Sequence, residues 1–339
     1  MYVNGRERKL ALKVNIKEIA QICGVSMGTV DRALNDRAGI NAATRQRVLA
    51  VAKQLGYRPH LLARSLVTGS TMTIGIIVSN LTNPFFSEIV EVIQRKARNA
   101  GYHIFLMLND FCLQEEEDSL DRLRGLNVDG IIMTPVNRGN SFVSYLKSLS
   151  TPVVTVSNKI SKNWPWVGID ERAAVKDAVR LVISRGYQRI LFVVQSREEG
   201  KVQSLYVDEQ RVQGYKDALM EAEFAAAPEV CMDKDLYRMI EERKGLLEKK
   251  TCIVCSCDAL ALDALEELKK NNVSVPSQVG LTGFDNLSEL RYITPRLFTV
   301  AYPIQRMGEA AFDILLDQIG GKPPDSLTLA HTVIEGQTV

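Results

Sequence analysis

The sequence predicts an α/β protein built from a small all-helical N-terminal unit and two successive doubly wound halves of parallel sheet. Three observations predict it. The 339 residues exceed one small domain and suit about two to three, at roughly 100–200 residues each. A hydrophobic fraction of 46% with 24% charged residues belongs to a globular chain and excludes disordered, collagenous and coiled-coil classes. From Thr73 onward, short apolar runs without alternation take turns with amphipathic stretches. Such runs are strands covered on both faces, as in parallel sheets.

The net charge of +2 hides an asymmetry. Residues 1–70 hold 12 Lys/Arg against 4 Asp/Glu, and the remainder holds 30 against 36. A head of +8 on a body of −6 suits an anionic partner for the head. The alternative is a merely solvated basic surface.

Within the head, Ile16, Ile19, Ala20 and Cys23 make the apolar stripe of a short helix. Gly24 supplies the exit, because a positive φ is cheap only for glycine. Ser26 is placed to cap a second helix, Met27 to about Leu34, with Val30, Ala33 and Leu34 inward. A loop over 35–39 leads to a third helix, about Ala42 to Leu55, burying Val48, Val51, Ala52 and Leu55 and ending at Gly56. Two short helices joined by a glycine turn, with a third closing the core, form a helix-turn-helix unit.

The body reads as strand Ile74–Val78, helix 84–100, strand Tyr102–Leu108, helix 114–125, strand Val128–Met133, helix 141–149 and strand Pro152–Val156. After Trp164-Pro-Trp the alternation resumes. Helix 171–186 precedes strand Arg189–Val194, helix 207–223, strand 229–232, helix 234–249, strand 252–256, helix 258–271 and strand Gln278–Thr282. Ligands of such sheets bind beyond the carboxyl ends of the strands, so the strand ends of both halves should face one cleft.

Several function classes are excluded or disfavoured. No apolar run approaches the roughly 20 residues of a membrane helix. The start, Met1 to Lys9, lacks the apolar stretch of a signal peptide, which predicts a cytoplasmic protein. The run Cys252-x-x-Cys255-x-Cys257 reads as core thiols of a buried strand, with Cys252 facing away from the other two. With no second Cys/His pair nearby, neither metal nor cofactor is expected. Only three histidines occur, and no phosphate loop, Gly-x-Gly-x-x-Gly or nucleophile–base pair stands out, so an enzyme is not expected.

The segment Val14-Asn-Ile-Lys-Glu-Ile-Ala-Gln-Ile-Cys-Gly-Val-Ser-Met-Gly-Thr-Val-Asp-Arg-Ala-Leu-Asn35 resembles the DNA-binding head of the LacI/GalR family of bacterial transcription factors. Leu55-Gly-Tyr-Arg-Pro59 and Ala63-Arg-Ser-Leu66 are similar to its hinge. Thr73-Ile-Gly-Ile-Ile, Asn83-Pro-Phe-Phe86, Val128-Asp-Gly-Ile-Ile132, Val167-Gly-Ile-Asp170, Arg211-x-x-Gly-Tyr215, Val275-Pro and Gly283-Phe-Asp285 follow in family order. The similarity covers nearly the whole chain. It implies a head at 14–58, a hinge helix and linker at 59–71, and a periplasmic-binding-protein-like sensor at 72–339. The sensor's two lobes would be crossed near 160–170 and near 300. The resemblance further implies a homodimer on pseudo-palindromic operator DNA, acting as a repressor controlled by a sugar-like effector. A solute-binding receptor shares the two lobes but would carry a secretion signal and no helix-turn-helix.

By the family pattern, Met27 and Gly28 stand where bases are chosen. Gly28 has no side chain, and Met27 offers only apolar contact to a thymine methyl. Arg32 is the best base reader, able to grip guanine O6 and N7; a phosphate contact or ion pair is its other reading. Ser26, Thr29 and Asn35 suit phosphate positioning. Asp31 stands where the family usually has Ser, and would either accept from cytosine or orient Arg32. Leu66, flanked by Arg64 and Ser65, resembles the family's minor-groove lever; otherwise it is an ordinary linker residue.

For the effector, Arg211 is the leading residue, a fork-shaped donor suited to hydroxyls or a carboxylate. Asp285 would accept from hydroxyls, and Phe85 and Phe86 would stack on a ring unless they are simply core. Asn109 and Asp170 lie at comparable strand ends, with helix capping as the other reading of Asp170. Ser157 and Cys257 depart from the more polar residues usual in the family, and the stretch Gln195–Asp208 is longer than usual. These departures point away from a typical free hexose, and a phosphorylated sugar or another polyol is left open. With no leucine heptads after Gly320-Gly-Lys-Pro-Pro324, a dimer is expected rather than a tail-built tetramer.

Overall fold

A computed structural model describes residues 15–34, 36–57, 69–242 and 245–339. The chain divides into two compact units, Met1–Thr71 and Met72–Val339.

The first unit is the expected three-helix arrangement. Asn15 opens α1 (Ile16–Cys23) with a reciprocal cap: its side chain accepts from the Glu18 amide at 3.0 Å, and the Glu18 carboxylate accepts from the Asn15 amide at 3.2 Å. Gly24 ends the helix in the left-handed region at φ 60°, as the turn requires. The Ser26 hydroxyl accepts from the Thr29 amide at 3.1 Å and starts α2 (Met27–Leu34). Asn41 does the same for α3 (Ala42–Gln54), accepting from the Thr44 amide at 2.7 Å. Ile19, Val30 and Val48, one from each helix, are fully buried at the centre. Asn35, Arg64 and Leu66, and most of the expected hinge at 59–71, lie outside the described residues.

The second unit has two lobes. In the first, β1 (Thr73–Val78), α4 (Pro84–Asn99), β2 (His103–Leu108), α5 (Leu113–Gly125), β3 (Gly130–Met133), α6 (Asn140–Ser148), β4 (Val153–Val156) and β5 (Trp166–Ile169) alternate. The second contains α7 (Glu171–Ser184), β6 (Arg189–Val194), α8 (Tyr206–Glu221), β7 (Glu229–Met232), α9 (Asp233–Glu242), β8 (Thr251–Cys255), α10 (Asp258–Lys270) and β9 (Val279–Thr282). The last segments are β10 (Thr299–Ala301), α11 (Ile304–Ile319), β11 (Leu327–Leu329) and β12 (Thr332–Ile334). One sheet runs β11-β5-β4-β3-β1-β2 and the other β7-β6-β8-β9, with parallel pairing throughout both. β1, β3 and β4 are buried along their whole length, the burial expected of strands covered on both faces.

The chain crosses between lobes after β5, and returns after β10 so that α11 packs on α4. A third crossing, not read from the sequence, follows β11, because β12 pairs antiparallel with β10. The helix read as 234–249 stops at Glu242. Gly245 beyond it sits at φ +68°, where a helix does not continue. Cys252 and Cys255 lie in β8 and are buried free thiols, whereas Cys257 lies beyond the strand as the residue preceding α10.

Close packing of α7 and α8 rests on Gly214. A β-carbon there would lie 2.2 Å from the Arg172 carbonyl oxygen. The next residue, Tyr215, is fully buried; its hydroxyl donates to the Ile190 carbonyl at 2.7 Å and accepts from the Glu229 amide at 2.9 Å. α8 is thereby fixed against both α7 and the sheet. Gly214→Ala is expected to cost roughly 1–3 kcal/mol through overpacking. Calorimetry should show the sensor's melting temperature reduced by several degrees while the helical head's transition stays in place.

Candidate functional site

Two places gather the sequence-predicted residues. On the helical head, Ser26, Met27, Gly28 and Arg32 are exposed along α2, and Thr29 is half-buried. The opposite face of α2 buries Val30 and Ala33. Added atoms at Gly28 would meet nothing nearer than the Ser26 hydroxyl at 3.7 Å, so the surface there is flat and open. Asp31, expected either to accept from a base or to orient Arg32, pairs with Arg37 at 3.2 Å.

The second place is a cavity of about 70 Å³ within the sensor unit, walled by both lobes. Phe85 and Phe86 come from the start of α4, and Phe111, Thr134, Ser157 and Asn158 follow the carboxyl ends of β2, β3 and β4. From the second lobe, Gln195, Ser256, Cys257 and Asp285 follow β6, β8 and β9, and Asp208 and Arg211 project from α8. Tyr302 lies on the crossing after β10. This is the strand-end location at which doubly wound sheets bind ligands. Left-handed backbone at non-glycine residues recurs here, at Asp110, Phe111, Ser157, Asp285 and Asn286. Such conformations cost on the order of 1–3 kcal/mol each and collect at ligand sites.

Arg211 is buried, and its fork is engaged by the protein itself. Nε donates to the Glu171 carboxylate at 2.9 Å, one terminal nitrogen donates to the Ser256 carbonyl, and the other donates to the Tyr302 hydroxyl at 2.7 Å. Tyr302 in turn donates to Glu171. The Arg211 guanidinium lies 3.7 Å from the centre of the Phe284 ring and 4.0 Å from the Asp285 carboxylate. Burial works against the Arg211 charge, but Tyr302, Glu171 and Asp285 together raise its pKa well above the ordinary value. Burial also pushes the Glu171 and Asp285 carboxyls upward, opposed in both by Arg211.

Phe85, Phe86, Arg211 and Asp285 are therefore brought together. Asn109 and Asp170 are not cavity residues. Asp170 is exposed and caps α7, accepting from the Ala173 amide at 3.0 Å. Asn109 is fully buried and donates to Glu116 at 3.0 Å. Sequence reading missed Glu171, Tyr302 and Thr134. Glu171 looked like an ordinary acidic first helical residue, and Tyr302 sits on a crossing with no motif. Thr134 is buried with an unpartnered hydroxyl on the cavity wall.

The long 195–208 stretch closes the mouth. The Val202 amide donates to the Phe111 carbonyl at 2.8 Å, and Lys201 pairs with Asp110. The Arg197 guanidinium lies 4.8 Å from the centre of the Phe111 ring while donating to Asp208 at 2.9 Å. Arg138 and Glu209 join across the same mouth, with one contact at 2.7 Å. Val136, Leu205 and Val207 form a small buried apolar cluster there.

Behind the first-lobe wall, the buried Glu116 carboxylate accepts from the Val136 amide at 2.8 Å, the Asn137 amide at 2.9 Å and Asn109. It thus ties together the loops after β2 and β3.

An exposed helix-turn-helix face and a ligand cavity closed between two doubly wound lobes define a ligand-responsive DNA-binding regulator. Comparison with known proteins agrees. Residues 15–60 match the family profile described as bacterial regulatory proteins, lacI family. Residues 71–335 match the profile described as periplasmic binding proteins and sugar binding domain of LacI family. The HTH-type transcriptional regulator RegA of Clostridium saccharobutylicum is 31% identical over 335 residues, 96% of this chain and 99% of that protein. Catabolite control protein A of Priestia megaterium is 31% identical over 330 residues, 95% of this chain and 98% of that protein. Among solved structures, the lac repressor dimer bound to operator and the anti-inducer ONPF superposes with a TM-score of 0.83 at 20% identity, covering 96% of this chain and 98% of that one. The chain belongs to the LacI family of bacterial regulatory proteins.

Burial lifts the Glu116 pKa to about 7 from an ordinary 4.5, against the pull of its three hydrogen-bond donors. A raised carboxyl pKa means that the folded chain holds a proton the unfolded chain has lost. The stability Glu116 contributes is thus full below pH 4.5 and is lost as pH rises through about 7. The stability difference between wild type and Glu116→Gln should therefore shift against wild type by on the order of 3 kcal/mol from acid to neutral pH. Denaturant titrations at a series of pH values check this, and a pH-independent difference would refute it.

Proposed function

We propose that the chain is a transcriptional repressor whose affinity for a pseudo-palindromic operator is set by a small sugar-like effector held between the lobes of its sensor. The observation that carries this reading is the cavity at the carboxyl ends of the strands, built around Arg211 and Asp285 and walled by Phe85 and Phe86. Asp285 accepts ligand hydroxyls, the two rings face an apolar ring surface, and Arg211 organises the wall from behind. Asn109 supports the wall through Glu116, and Asp170 acts as a helix cap. No residue is assigned a catalytic role.

On the head, Arg32 reads a guanine edge, Met27 lies against a thymine methyl, and Gly28 lets the helix approach the groove closely. Ser26, Thr29 and Asn35 position phosphates, and Arg64 and Leu66 act in the hinge against the minor groove. The protein acts as a homodimer. β2 is an edge strand whose Phe105 and Leu108 are each 44% exposed, the kind of surface a second copy covers. The solute-receptor alternative is disfavoured by the head, which such a receptor has no use for.

Effector binding and operator binding are coupled through lobe closure, typically by ~1–3 kcal/mol, or roughly 5–150-fold in affinity. The test is operator selection from random duplexes at fixed salt, followed by fluorescence anisotropy of the selected site with and without candidate sugars. A palindrome whose affinity changes several-fold with one sugar is expected. Selection without any palindrome would overturn the dimeric repressor. In the same assay, Arg32→Ala should cost about 1–3 kcal/mol and relax the preference at one position of each half-site. A uniform loss at every sequence would make Arg32 a phosphate contact instead.

A further inference from the structure

The cavity's charges are unequally paired. Arg197 is taken by Asp208 at 2.9 Å, and Arg211 by Glu171 at 2.9 Å. Asp285 reaches Arg211 only at 4.0 Å, through a nitrogen already donating to Tyr302 at 2.7 Å, and otherwise accepts from the Asp258 backbone amide. Each of the two cations thus already has a carboxylate partner, and Asp285 adds a carboxyl that burial pushes toward its protonated form. Glu171 decides this balance. It is wholly buried behind the cavity wall, and its two oxygens accept from Arg211 and Tyr302, a geometry that accommodates the carboxylate form. Its position at the first residue of α7 adds the favourable field of a helix N-terminus.

The uncommitted groups have a different character. The Thr134 hydroxyl is buried on the cavity wall without a partner. The Ser157 hydroxyl has only a long contact to Tyr302 at 3.4 Å. These hydroxyls and the Asp285 carboxylate read ligand hydroxyls; none of them neutralises an anion. A phosphate ester would bring up to two negative charges into a buried site whose two cations are already paired.

We propose that Glu171 is a specificity-determining residue that spends the Arg211 charge internally, so that the cavity takes an uncharged polyhydroxylated effector and rejects phosphorylated sugars. This narrows the effector left open by the sequence and rests on reading the cavity as the effector site.

The test uses the full-length protein, Glu171→Gln, and Asp285→Asn as a second variant should Glu171→Gln fold poorly. The probes are inorganic phosphate, ribose with ribose 5-phosphate, and glucose with glucose 6-phosphate, measured by calorimetric titration and thermal shift. Wild type is expected to ignore inorganic phosphate and both esters. Removing either acceptor that would face the anion should raise affinity for inorganic phosphate, by about tenfold or more for Glu171→Gln, which frees the Arg211 charge at short, partly screened distance. A sugar phosphate that binds wild type more tightly than its parent sugar overturns the proposal. Equal phosphate affinity in wild type and both variants also overturns it. If the variants admit phosphate while no neutral sugar binds wild type, the charge filter stands and the sugar-like effector reading is what fails.

Discussion

The buried pairing of Arg211 with Glu171 is the interaction on which the sensor's cavity depends. A guanidinium and a carboxylate out of water are costly unless each finds full hydrogen-bond compensation. Here Tyr302 and the Ser256 carbonyl complete the set. Those four residues come from α7, from the strand end after β8, from α8, and from the crossing after β10. The network therefore joins the second lobe to the segment that leads back to the first. Its geometry in turn rests on Gly214, which lets α8 approach α7 closely enough for the ion pair to form.

The first lobe solves the same problem with a different group. Glu116 holds the loops after β2 and β3 by accepting two backbone amides and Asn109. Those loops carry Phe111 and Thr134 to the cavity and Val136 to its mouth. Each lobe thus has a buried carboxylate behind its ligand wall. The mouth is different: the Arg138–Glu209 and Lys201–Asp110 pairs there are partly exposed and individually worth little, while the Val202–Phe111 backbone bond and the small apolar cluster give the closed mouth its geometry. Such a division suits a sensor, with rigid walls inside and a contact that opens at low cost outside.

Much of this fold was legible in the residues. Continuous apolar runs marked β1, β3 and β6, and Gly24 with Ser26 marked the turn between α1 and α2, because local sterics and capping act within a few residues. The late segments were not legible. β10, β11 and β12 are three residues each and exist through partners far away in sequence, such as Leu327 beside Val167. The site was partly legible: Phe85, Phe86, Arg211 and Asp285 meet, but Asn109 and Asp170 do not join them. A polar residue at a strand end can face a cleft or cap the next helix, and its sequence position is the same in either case.

What the sequence by itself determined is the grammar: a basic helical head, two halves of alternating strand and helix, and family membership carried by an ordered set of short motifs. These follow from periodicity, charge and glycine sterics, all of which are local. What only the tertiary structure decided is which charges neutralise one another. Arg211 and Glu171 are 40 residues apart, and Tyr302 lies 91 residues beyond Arg211. Their pairing turns a free arginine fork into a committed one. Electrostatic balance depends on distance and dielectric in space, so it emerges only when the chain is folded.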